Sequence, residues 1–501
     1  MNLKFYTFLI LFFGLSKVVL AQQTDKSYCG YTGYSPWLSW YQDNKTEIAQ
    51  LRGSNDTTWL YAPVTVHIVG KNNGTGYFRT DQAIRAICEM NAQFEPAHIR
   101  FYFMPGDEFQ FHDDTDWFEH DWDSGSEMIN TVYPGLEDRL NAFVVEDPAG
   151  NCGYSWQDVI VLAKSCSAAG NSTWAHEAGH HFSLPHPFYG WEGQDYNYND
   201  PAPQDWGGYP VEKMDQSNCY EAGDRFCDTR PDYLNFRWPC NENFESLELQ
   251  HDPNGTPFRS DATLIMGYAY DNCQSRFTDE QMEAMRTNLY TEHASYLTTF
   301  EPGAEITDDA WVQLVSPIDT QIVQYNNFTV VWNPVPNATM YHVQVGMTPT
   351  FSILLFNGTV QNTTSINITK GIPNNRILYW RVRAYNNWDV CQPDNYIQTG
   401  VFKTHNSTAT SELEQSLFAE LAPNPVAGGA PAKLLLESDD NMNALLTVTD
   451  AAGRVCQQQK LRLYFGENQI DIPTAELQSG LYIVTIQNER GALIKRMAVT
   501  E

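Results

Sequence analysis

The stretch HEAGHHFSLPH, residues 176–186, contains three histidines and one glutamate at the spacing of a catalytic zinc site. In a helix, His176 and His180 lie one turn apart on the same face, and Glu177 lies beside them. The proline before His186 ends the helix, so the chain must turn back for this third imidazole to reach the ion. Three neutral nitrogen ligands leave one position open for water, which is typical of catalytic zinc. The stretch therefore predicts a zinc centre in which Glu177 takes the proton of the water.

This stretch resembles the metzincin signature HExxHxxGxxH, except that Ser183 stands where the family has glycine. The backbone at that glycine often has positive φ, so we expect modest strain at the serine without loss of metal. The resemblance implies a methionine on a tight turn under the zinc, and Met266 in LIMGYAYDNC is the candidate, with plain core packing as the alternative. Tyr268 then occupies the place of a tyrosine that approaches the metal or the developing oxyanion; a packed phenol is its alternative.

Two further segments are similar to the pappalysin branch of the metzincins. They are GDRFCDTRP, residues 223–231, and MGYAYDNCQSRFTDEQMEAMR, residues 266–286, although Arg230 replaces the usual proline of the first segment. Members of this branch bind calcium near the first segment, which implies Asp224 and Thr229 as candidate Ca²⁺ ligands. An exposed loop capped by the aspartate is the alternative.

The N-terminal end has the features of an exported chain. Lys4 and the apolar run at residues 5–15 predict a cleavable signal peptide over residues 1–21, followed by a pro-region at residues 22–62. No later segment approaches eighteen continuous apolar residues, so we expect no transmembrane segment in the mature protein.

Ten cysteines in an exported chain usually form disulfides. Cys152 and Cys166 flank the strand before the zinc helix and are candidates for one bridge. A second group consists of Cys219, Cys227, Cys240 and Cys273. These four cysteines can form two bridges in any of three pairings. Family resemblance favours a bond from Cys273 to one of the other three.

Cys29 has two possible roles. Some metzincins stay silent because a propeptide cysteine occupies the open zinc position, and Cys29 is placed to act in this way. A disulfide is the alternative, which the even number of cysteines favours.

The chain is acidic, with 30 lysines and arginines against 61 aspartates and glutamates and a formal net charge of −31. Because phosphate contacts require clustered basic residues, this balance argues against nucleic-acid binding. Nine carboxylates are concentrated in residues 106–127. That run either holds calcium or attracts cationic substrates, or it forms a solvated loop.

The rest of the chain shows strand periodicity. Runs such as FTVVWNPV, MYHVQVGM and YWRVRAY predict a β-sandwich at residues 311–405, which resembles a fibronectin type III domain. A polar linker follows at residues 406–416. Residues 417–501 resemble the C-terminal sorting domain of type IX secretion cargo, which implies the type IX machinery as a partner and release from, or attachment to, a bacterial outer surface. A generic all-β interaction module is the alternative.

We therefore expect an α+β, metzincin-like catalytic domain at residues 63–302, followed by two all-β sandwich domains. The expected function is that of a secreted zinc-dependent endopeptidase acting on extracellular proteins or peptides, with Zn²⁺ and possible Ca²⁺ as cofactors. The alternative is a catalytically degenerate metalloprotease fold that serves as an adhesin or surface-binding protein. The presence of all four primary catalytic residues in residues 176–186 favours catalysis.

Overall fold

A computed structural model shows a mixed, strand-rich chain with several β-sheets. It describes residues 27–30, 33–52, 57–194, 196–297, 303–307, 311–369, 371–391, 396–405, 413 and 417–500. The predicted signal peptide and all but one residue of the predicted linker lie outside the described residues. The described residues form two compact units. The first contains the chain up to residue 319 with residues 329–366 and 378–401, and the second contains residues 320–328, 367–377 and those from 402 onward.

The N-terminal region of the first unit surrounds a seven-stranded, mainly parallel sheet in the order β1-β8-β9-β6-β2-β3, with β4 also paired to β2. Its helices are α1 (Pro36–Arg52), α2 (Thr80–Phe94), α3 (Thr115–Phe118), α4 (Trp122–Val132), α5 (Thr173–His181) and α6 (Asp279–Thr291). The strands of this N-terminal region, in the seven-stranded sheet and in smaller two-stranded sheets, are β1 (Ser27–Cys29), β2 (Leu60–Gly70), β3 (Ile99–Phe103), β4 (Phe109–Asp113), β5 (Glu119–His120), β6 (Leu140–Val145), β7 (Asp147–Pro148), β8 (Asn151–Trp156), β9 (Val159–Ala163), β10 (Asp205–Trp206), β11 (Tyr209–Pro210), β12 (Gln250–His251) and β13 (Pro257–Phe258).

The central strand β2 is buried on both faces, which is why its sequence is a nearly continuous apolar run. Val64 and Val66 pack in the core that also contains residues of α2 and α5. Val69 packs in a second core on the opposite face, with residues of α3 and α4.

Two aspartates of the acidic run have a local structural role. The Asp114 side chain accepts hydrogen bonds from backbone amides at the start of α3, and the Asp121 side chain does the same at the start of α4. A carboxylate at this position satisfies amides that have no partner inside the helix.

The strands predicted after residue 311 are present. They are β14 (Leu314–Ser316), β15 (Gln321–Gln324), β16 (Phe328–Trp332), β17 (Met340–Gly346), β18 (Leu354–Gln361), β19 (Ser365–Ile368), β20 (Ile377–Tyr385) and β21 (Gly400–His405). In the first unit, β17 pairs antiparallel with both β18 and β20, and β14 pairs with β16. In the second unit, β15 runs parallel to β21.

The C-terminal segment of the second unit forms two further sheets. Their orders are β22-β24-β27 and β23-β29-β28-β25-β26. The strands are β22 (Leu417–Ala422), β23 (Val426–Ala427), β24 (Ala432–Ser438), β25 (Met442–Asp450), β26 (Val455–Leu463), β27 (Gly466–Ile472), β28 (Gly480–Asn488) and β29 (Gly491–Thr500). Side chains of β24 alternate between buried and exposed, as expected for a sheet with one face in a core.

The cysteines form four disulfides among the described residues. The Cys152–Cys166 bridge confirms its prediction. The group of four pairs as Cys219–Cys227 and Cys240–Cys273. The fourth bridge, Cys88–Cys391, was not predicted and joins α2 to the chain after β20 within the first unit. Cys29 belongs to none of these bridges, so the disulfide alternative for this residue is absent from the structure.

The β17–β18 hairpin contacts helix α2 within the first unit. The Thr359 hydroxyl donates to the Thr80 hydroxyl at 2.8 Å, and the Asn357 amide donates to Asp81 at 3.2 Å. Together with the Cys88–Cys391 bridge, these contacts fix the start and the middle of α2 against the β-segment.

Candidate metal centre

Helix α5 carries the first half of the predicted metal site. His176 and His180 are one turn apart on this helix, which ends at His181. Ser183 then adopts the left-handed conformation with φ of 70°, as expected at the position where the family has glycine. The turn is closed by the Leu184 amide, which donates to the Gly179 carbonyl at 3.0 Å. This reversal returns the chain toward the helix.

The three predicted histidines, here called the histidine triad (His176, His180 and His186), converge at their Nε2 atoms. The Nε2–Nε2 distances are 3.1 Å between His176 and His180, 3.0 Å between His180 and His186, and 3.3 Å between His176 and His186. Zinc–nitrogen bonds of about 2.1 Å at tetrahedral angles hold ligand nitrogens about 3.3 Å apart. The donor set and its spacing therefore fit one zinc ion.

The opposite ring nitrogens orient the triad. The Nδ1 atoms contact the Ile265 carbonyl at 2.8 Å for His176, the Leu184 carbonyl at 2.6 Å for His180, and a Glu192 carboxylate oxygen at 3.3 Å for His186. Because these oxygens only accept, each Nδ1 donates and each Nε2 presents a lone pair. Burial keeps the pKa of His176 and of His180 well below the ordinary histidine value. Three lone pairs this close are favourable only around a cation.

Glu177 is fully buried beside the triad. Its Oε2 accepts a hydrogen bond from the Cys29 thiol at 3.5 Å, and its Oε1 has no hydrogen-bond partner among the described residues. Burial raises the pKa of Glu177 well above the usual range, and the thiol contact opposes this effect. Gly153 on β8 allows this approach, since a Cβ there would lie 2.7 Å from Oε1. The glutamate is therefore a strong base in a nearly dry site.

Cys29 joins the same site from strand β1. Its Sγ and one nitrogen of each triad histidine all lie within 4.8 Å of one another. Strand β1 runs parallel to β8, with Cys29 opposite Gly153, and the Gly30 amide donates to the Gly153 carbonyl at 3.0 Å. The pro-region thus covers the edge of the sheet and brings a thiol to the fourth position around the triad.

Other described residues of the predicted pro-region also contact the region that contains the triad. The Tyr34 hydroxyl donates to the Gly223 carbonyl at 2.7 Å, and the Gln42 amide donates to the Arg225 carbonyl at 2.6 Å. The Arg225 guanidinium lies over the Tyr34 ring, 3.8 Å from its centroid. These contacts use the predicted GDRFCDTRP segment as a docking surface.

Met266 lies buried beneath α5, as its predicted position requires. A Cβ at Gly179 would overlap the Met266 sulfur, so this glycine permits the close approach of the turn to the helix. The carbonyl before the methionine orients His176. The Gln274 amide stabilises the turn that contains Met266, because it donates to the carbonyls of Leu264, Ile265 and Gly267. The sequence alone did not identify Gln274.

Tyr268 packs against the triad, with its ring centroid 4.9 Å from that of His186. Its hydroxyl donates to the Cys29 carbonyl at 3.3 Å. The phenol therefore already binds a carbonyl oxygen of a peptide that lies at the site.

The two predicted calcium ligands are hydrogen-bonded within the protein. Asp224 accepts from the Phe226 amide at 3.0 Å, from the Thr229 hydroxyl at 2.8 Å and from the Gln281 amide at 3.2 Å. The carboxylate is buried, and this burial raises its pKa to about 7. With these partners, Asp224 and Thr229 form a buried hydrogen-bonded loop, whereas the alternative to calcium ligation was an exposed loop.

A carboxylate that the sequence did not identify lies next to this loop. Glu212 is buried, and neither of its carboxylate oxygens has a hydrogen-bond partner among the described residues. Burial raises its pKa well above the usual value, and the nearby charges of Asp224 and Asp232 raise it further. Gly223, with φ of 56°, leaves room for the Glu212 side chain, since a Cβ there would overlap it. A bound cation would satisfy both oxygens.

The comparisons with known proteins identify the C-terminal region. Residues 420–500 match the family described as a secretion system C-terminal sorting domain. The chain therefore carries the type IX export signal, interacts with the type IX secretion machinery, and is secreted and attached to the outer surface. No helix among the described residues is long and apolar enough to cross a membrane.

The remaining comparisons give no information about the region that contains the triad. No curated protein matches the chain. One solved structure that resembles it is titled "Biofilm associated protein - BSP domain", with 12% identity and a TM-score of 0.16 over 38% of this chain. The chain spans 29% of that structure's length.

Proposed function

We propose that this protein is a secreted zinc-dependent endopeptidase, similar to the pappalysin-branch metzincins, that hydrolyses peptide bonds of extracellular proteins. The convergence of the three triad Nε2 atoms within 3.0–3.3 Å carries the proposal. Three buried imidazole lone pairs at these distances destabilise the folded state unless a metal ion lies between them.

The residues around the triad divide the chemistry. A bound Zn²⁺ would polarise the scissile carbonyl and lower the pKa of a water molecule. Glu177 accepts the proton of that water and returns it to the leaving amine, a role that suits a buried carboxylate with an open oxygen. Tyr268 donates its hydroxyl to the carbonyl oxygen as negative charge develops there.

Strand β8 supplies the backbone groups that would bind a substrate. It lies next to the edge of the sheet, where only the short strand β1 covers it. An extended peptide that replaces β1 gains the same kind of main-chain hydrogen bonds and brings its carbonyl to Tyr268. Protein and peptide substrates are therefore favoured over small molecules.

Glu177→Gln tests the proposal. After removal of the pro-region, we expect this variant to keep its zinc and to lose casein or gelatin hydrolysis by a factor of about 10²–10⁴ or more relative to wild type treated in the same way, since the amide cannot accept the proton. Glu95→Gln, on an exposed 3-10 turn, is the matched control and should keep full activity. Zinc content and proteolysis are measured on the same samples. Retained turnover in Glu177→Gln would remove this residue from the mechanism.

A wild-type protein that holds zinc but cleaves nothing after the pro-region is removed would favour the adhesin alternative. A wild-type protein that holds no metal at the triad would contradict the endopeptidase and leave the catalytically degenerate fold as the alternative. His186→Ala should lose metal affinity, which separates a ligand from a residue that acts only in the chemical step.

We also propose that the pro-region keeps the enzyme silent through Cys29. The support is the position of Sγ among the triad nitrogens and its contact with Glu177, which together occupy the fourth position and the base. Cys29→Ser should therefore make the unprocessed chain active, because a hydroxyl is a much poorer zinc ligand than a thiolate. Cys456→Ser, at an exposed cysteine outside the disulfides, is the control and should leave the unprocessed chain inactive. Equal activity of unprocessed wild type and Cys29→Ser would rule out the latch.

For calcium, we propose a site at Glu212 rather than direct ligation by Asp224 and Thr229. The support is the pair of buried Glu212 oxygens without partners, and the two neighbouring carboxylates whose charge a cation would offset. In this arrangement Asp224 and Thr229 fix the adjoining loop.

A further inference from the structure

Three side chains that take no part in the proposed reaction meet beyond the last residue of the zinc helix. Asp158 lies in the turn between β8 and β9, His181 is the last residue of α5, and His293 follows α6. One carboxylate oxygen and one nitrogen of each imidazole lie within 4.8 Å of one another. All three elements belong to the first unit.

The tautomer of His293 is fixed by its neighbour Asn288. The Asn288 amide nitrogen donates to the Ser183 hydroxyl at 3.3 Å, so its oxygen is the atom that faces His293 Nδ1. Nδ1 must then donate to that oxygen, and a neutral ring presents a lone pair at Nε2. Nε2 lies 3.4 Å from Asp158 Oδ1. A lone pair that faces a carboxylate at this distance is stable only with a positive charge between them.

His181 presents a second nitrogen to the same place. Its Nε2 lies 3.1 Å from the Tyr296 hydroxyl, whereas its Nδ1 is buried and has no hydrogen-bond partner among the described residues. Among the described residues, His293 Nε2 meets the Asp158 carboxylate as an ion-pair contact but without hydrogen-bond geometry. Both imidazoles are only 5% exposed, and their ring centroids are 4.3 Å apart. A buried polar nitrogen without a partner destabilises the folded state, so two such atoms in one cluster with a carboxylate point to a missing ligand.

We propose that Asp158, His181 and His293 bind a second divalent transition-metal ion of the Zn²⁺ class. Two imidazole nitrogens and one carboxylate oxygen suit zinc and its neighbours rather than calcium or magnesium, which prefer oxygen ligands alone. The ion binds through His181 Nδ1, His293 Nε2 and an Asp158 oxygen. Water from the adjoining cleft of about 760 Å³, which Asp158 and His181 help to line, completes the coordination.

Asp158 can complete this set with a small movement. Its side chain is 54% exposed, so it can close on the two fixed nitrogens without disturbing the core. Gln157 and Asp158 both have positive φ, 47° and 61°, in the two-residue turn between β8 and β9. The ion would tie this turn, at the end of the edge strand β8, to the helix that carries the triad. The second site would therefore hold one wall of the cleft in place.

A protonated His293 that pairs with Asp158 is the metal-free explanation of the same geometry. It supplies the positive charge but leaves His181 Nδ1 buried without a partner. The two explanations differ in zinc stoichiometry and in the dependence of stability on zinc.

Zinc stoichiometry tests the proposal on the full chain. The protein is stripped with a chelator, titrated with Zn²⁺ in competition with a chromophoric chelator, and measured by elemental analysis after gel filtration. Wild type should bind two equivalents, and Asp158→Asn and His293→Gln should each bind one. Asparagine tolerates the left-handed conformation of residue 158, so the first variant should fold normally. Asp123→Asn, exposed in the first turn of α4, is the control and should bind two equivalents.

The outcomes separate this site from the triad. His186→Ala should keep the equivalent that Asp158→Asn loses. If wild type binds one equivalent and Asp158→Asn none, the second site stands and the zinc centre of the proposed enzyme fails. If Asp158→Asn binds as much zinc as wild type, the second site is overturned. A zinc-independent drop in melting temperature in Asp158→Asn, with unchanged stoichiometry, would instead identify the ion pair.

Discussion

The triad region and the C-terminal sorting domain bury different kinds of side chain. Around the triad, histidines and carboxylates such as Glu177, Glu212 and Asp224 lie in the core. The sorting domain instead buries aliphatic and aromatic side chains between two sheets, with Ser438 and Thr474 as its fully buried polar residues among those described. Because an unpaired buried polar group destabilises the folded state, the first region needs partners that the second does not.

The cross-links follow the same division. All four disulfides lie in the first unit, whereas Cys456 in the sorting domain is exposed and outside any bridge. The triad region is stabilised by disulfides and, as we propose, by cations. The region that carries the export signal has an apolar core and no disulfide. Stability of the two regions should therefore respond to different perturbations.

The largest expected effect concerns apolar burial in the sorting domain. Ile486 and Ile483 lie on the same strand β28, but Ile486 is fully buried and Ile483 is 41% exposed. Ile486→Ala should lower the free energy of unfolding of this domain by about 2–5 kcal/mol, through lost burial and the cavity left behind. Ile483→Ala is the matched control and should cost far less. Chemical denaturation is the measurement, and equal effects of the two variants would contradict the buried face assigned to β28.

A smaller effect is expected from calcium, and only in the triad region. Saturation with Ca²⁺ at about 100 times the dissociation constant should stabilise that region by about 2.7 kcal/mol. Glu212→Gln should abolish this gain, because the amide cannot balance the charge of the ion. Glu221→Gln, at an exposed glutamate of the same segment, should keep it. Thermal melting with and without Ca²⁺ provides the measurement, and a calcium-dependent shift that survives Glu212→Gln would move the site elsewhere.

The third effect is a pH dependence of stability, which accumulates with each pH unit. Burial lowers the pKa of His67 from its ordinary value to about 3. Between pH 6.5 and 3 the unfolded chain therefore binds a proton at this residue that the folded chain does not. Stability of the triad region should fall as the pH falls through this window, by up to about 1.4 kcal/mol per pH unit from this group. The sorting domain, residues 417–501, contains no histidine and lacks this contribution.

His67→Gln checks the contribution of this group, since glutamine does not titrate. The slope of unfolding free energy against pH should be shallower in the variant between pH 4 and 6. His405→Gln, at an exposed strand end, serves as the control for loss of a histidine. An unchanged slope in His67→Gln would show that the buried imidazole is protonated in the folded state.

Local patterns predicted much of this architecture. The strands of residues 311–405 and 417–501 are present where periodicity placed them. The left-handed Ser183 and the Cys152–Cys166 bridge also agree with prediction. These features depend on a few consecutive residues or on neighbouring elements, so a linear reading can reach them.

The sequence by itself determined the donor set of the metal centre, because helix geometry fixes the relation of His176 to His180 and a short turn returns His186. Only the tertiary structure decided that Cys29 reaches the triad and that Cys88 bonds Cys391. The same is true of the Glu212 carboxylate, which is buried with no hydrogen-bond partner among the described residues. The tertiary structure also brought Asp158, His181 and His293 together. These contacts join residues from separate elements. Their closeness follows from how the elements pack, and no local spacing records it.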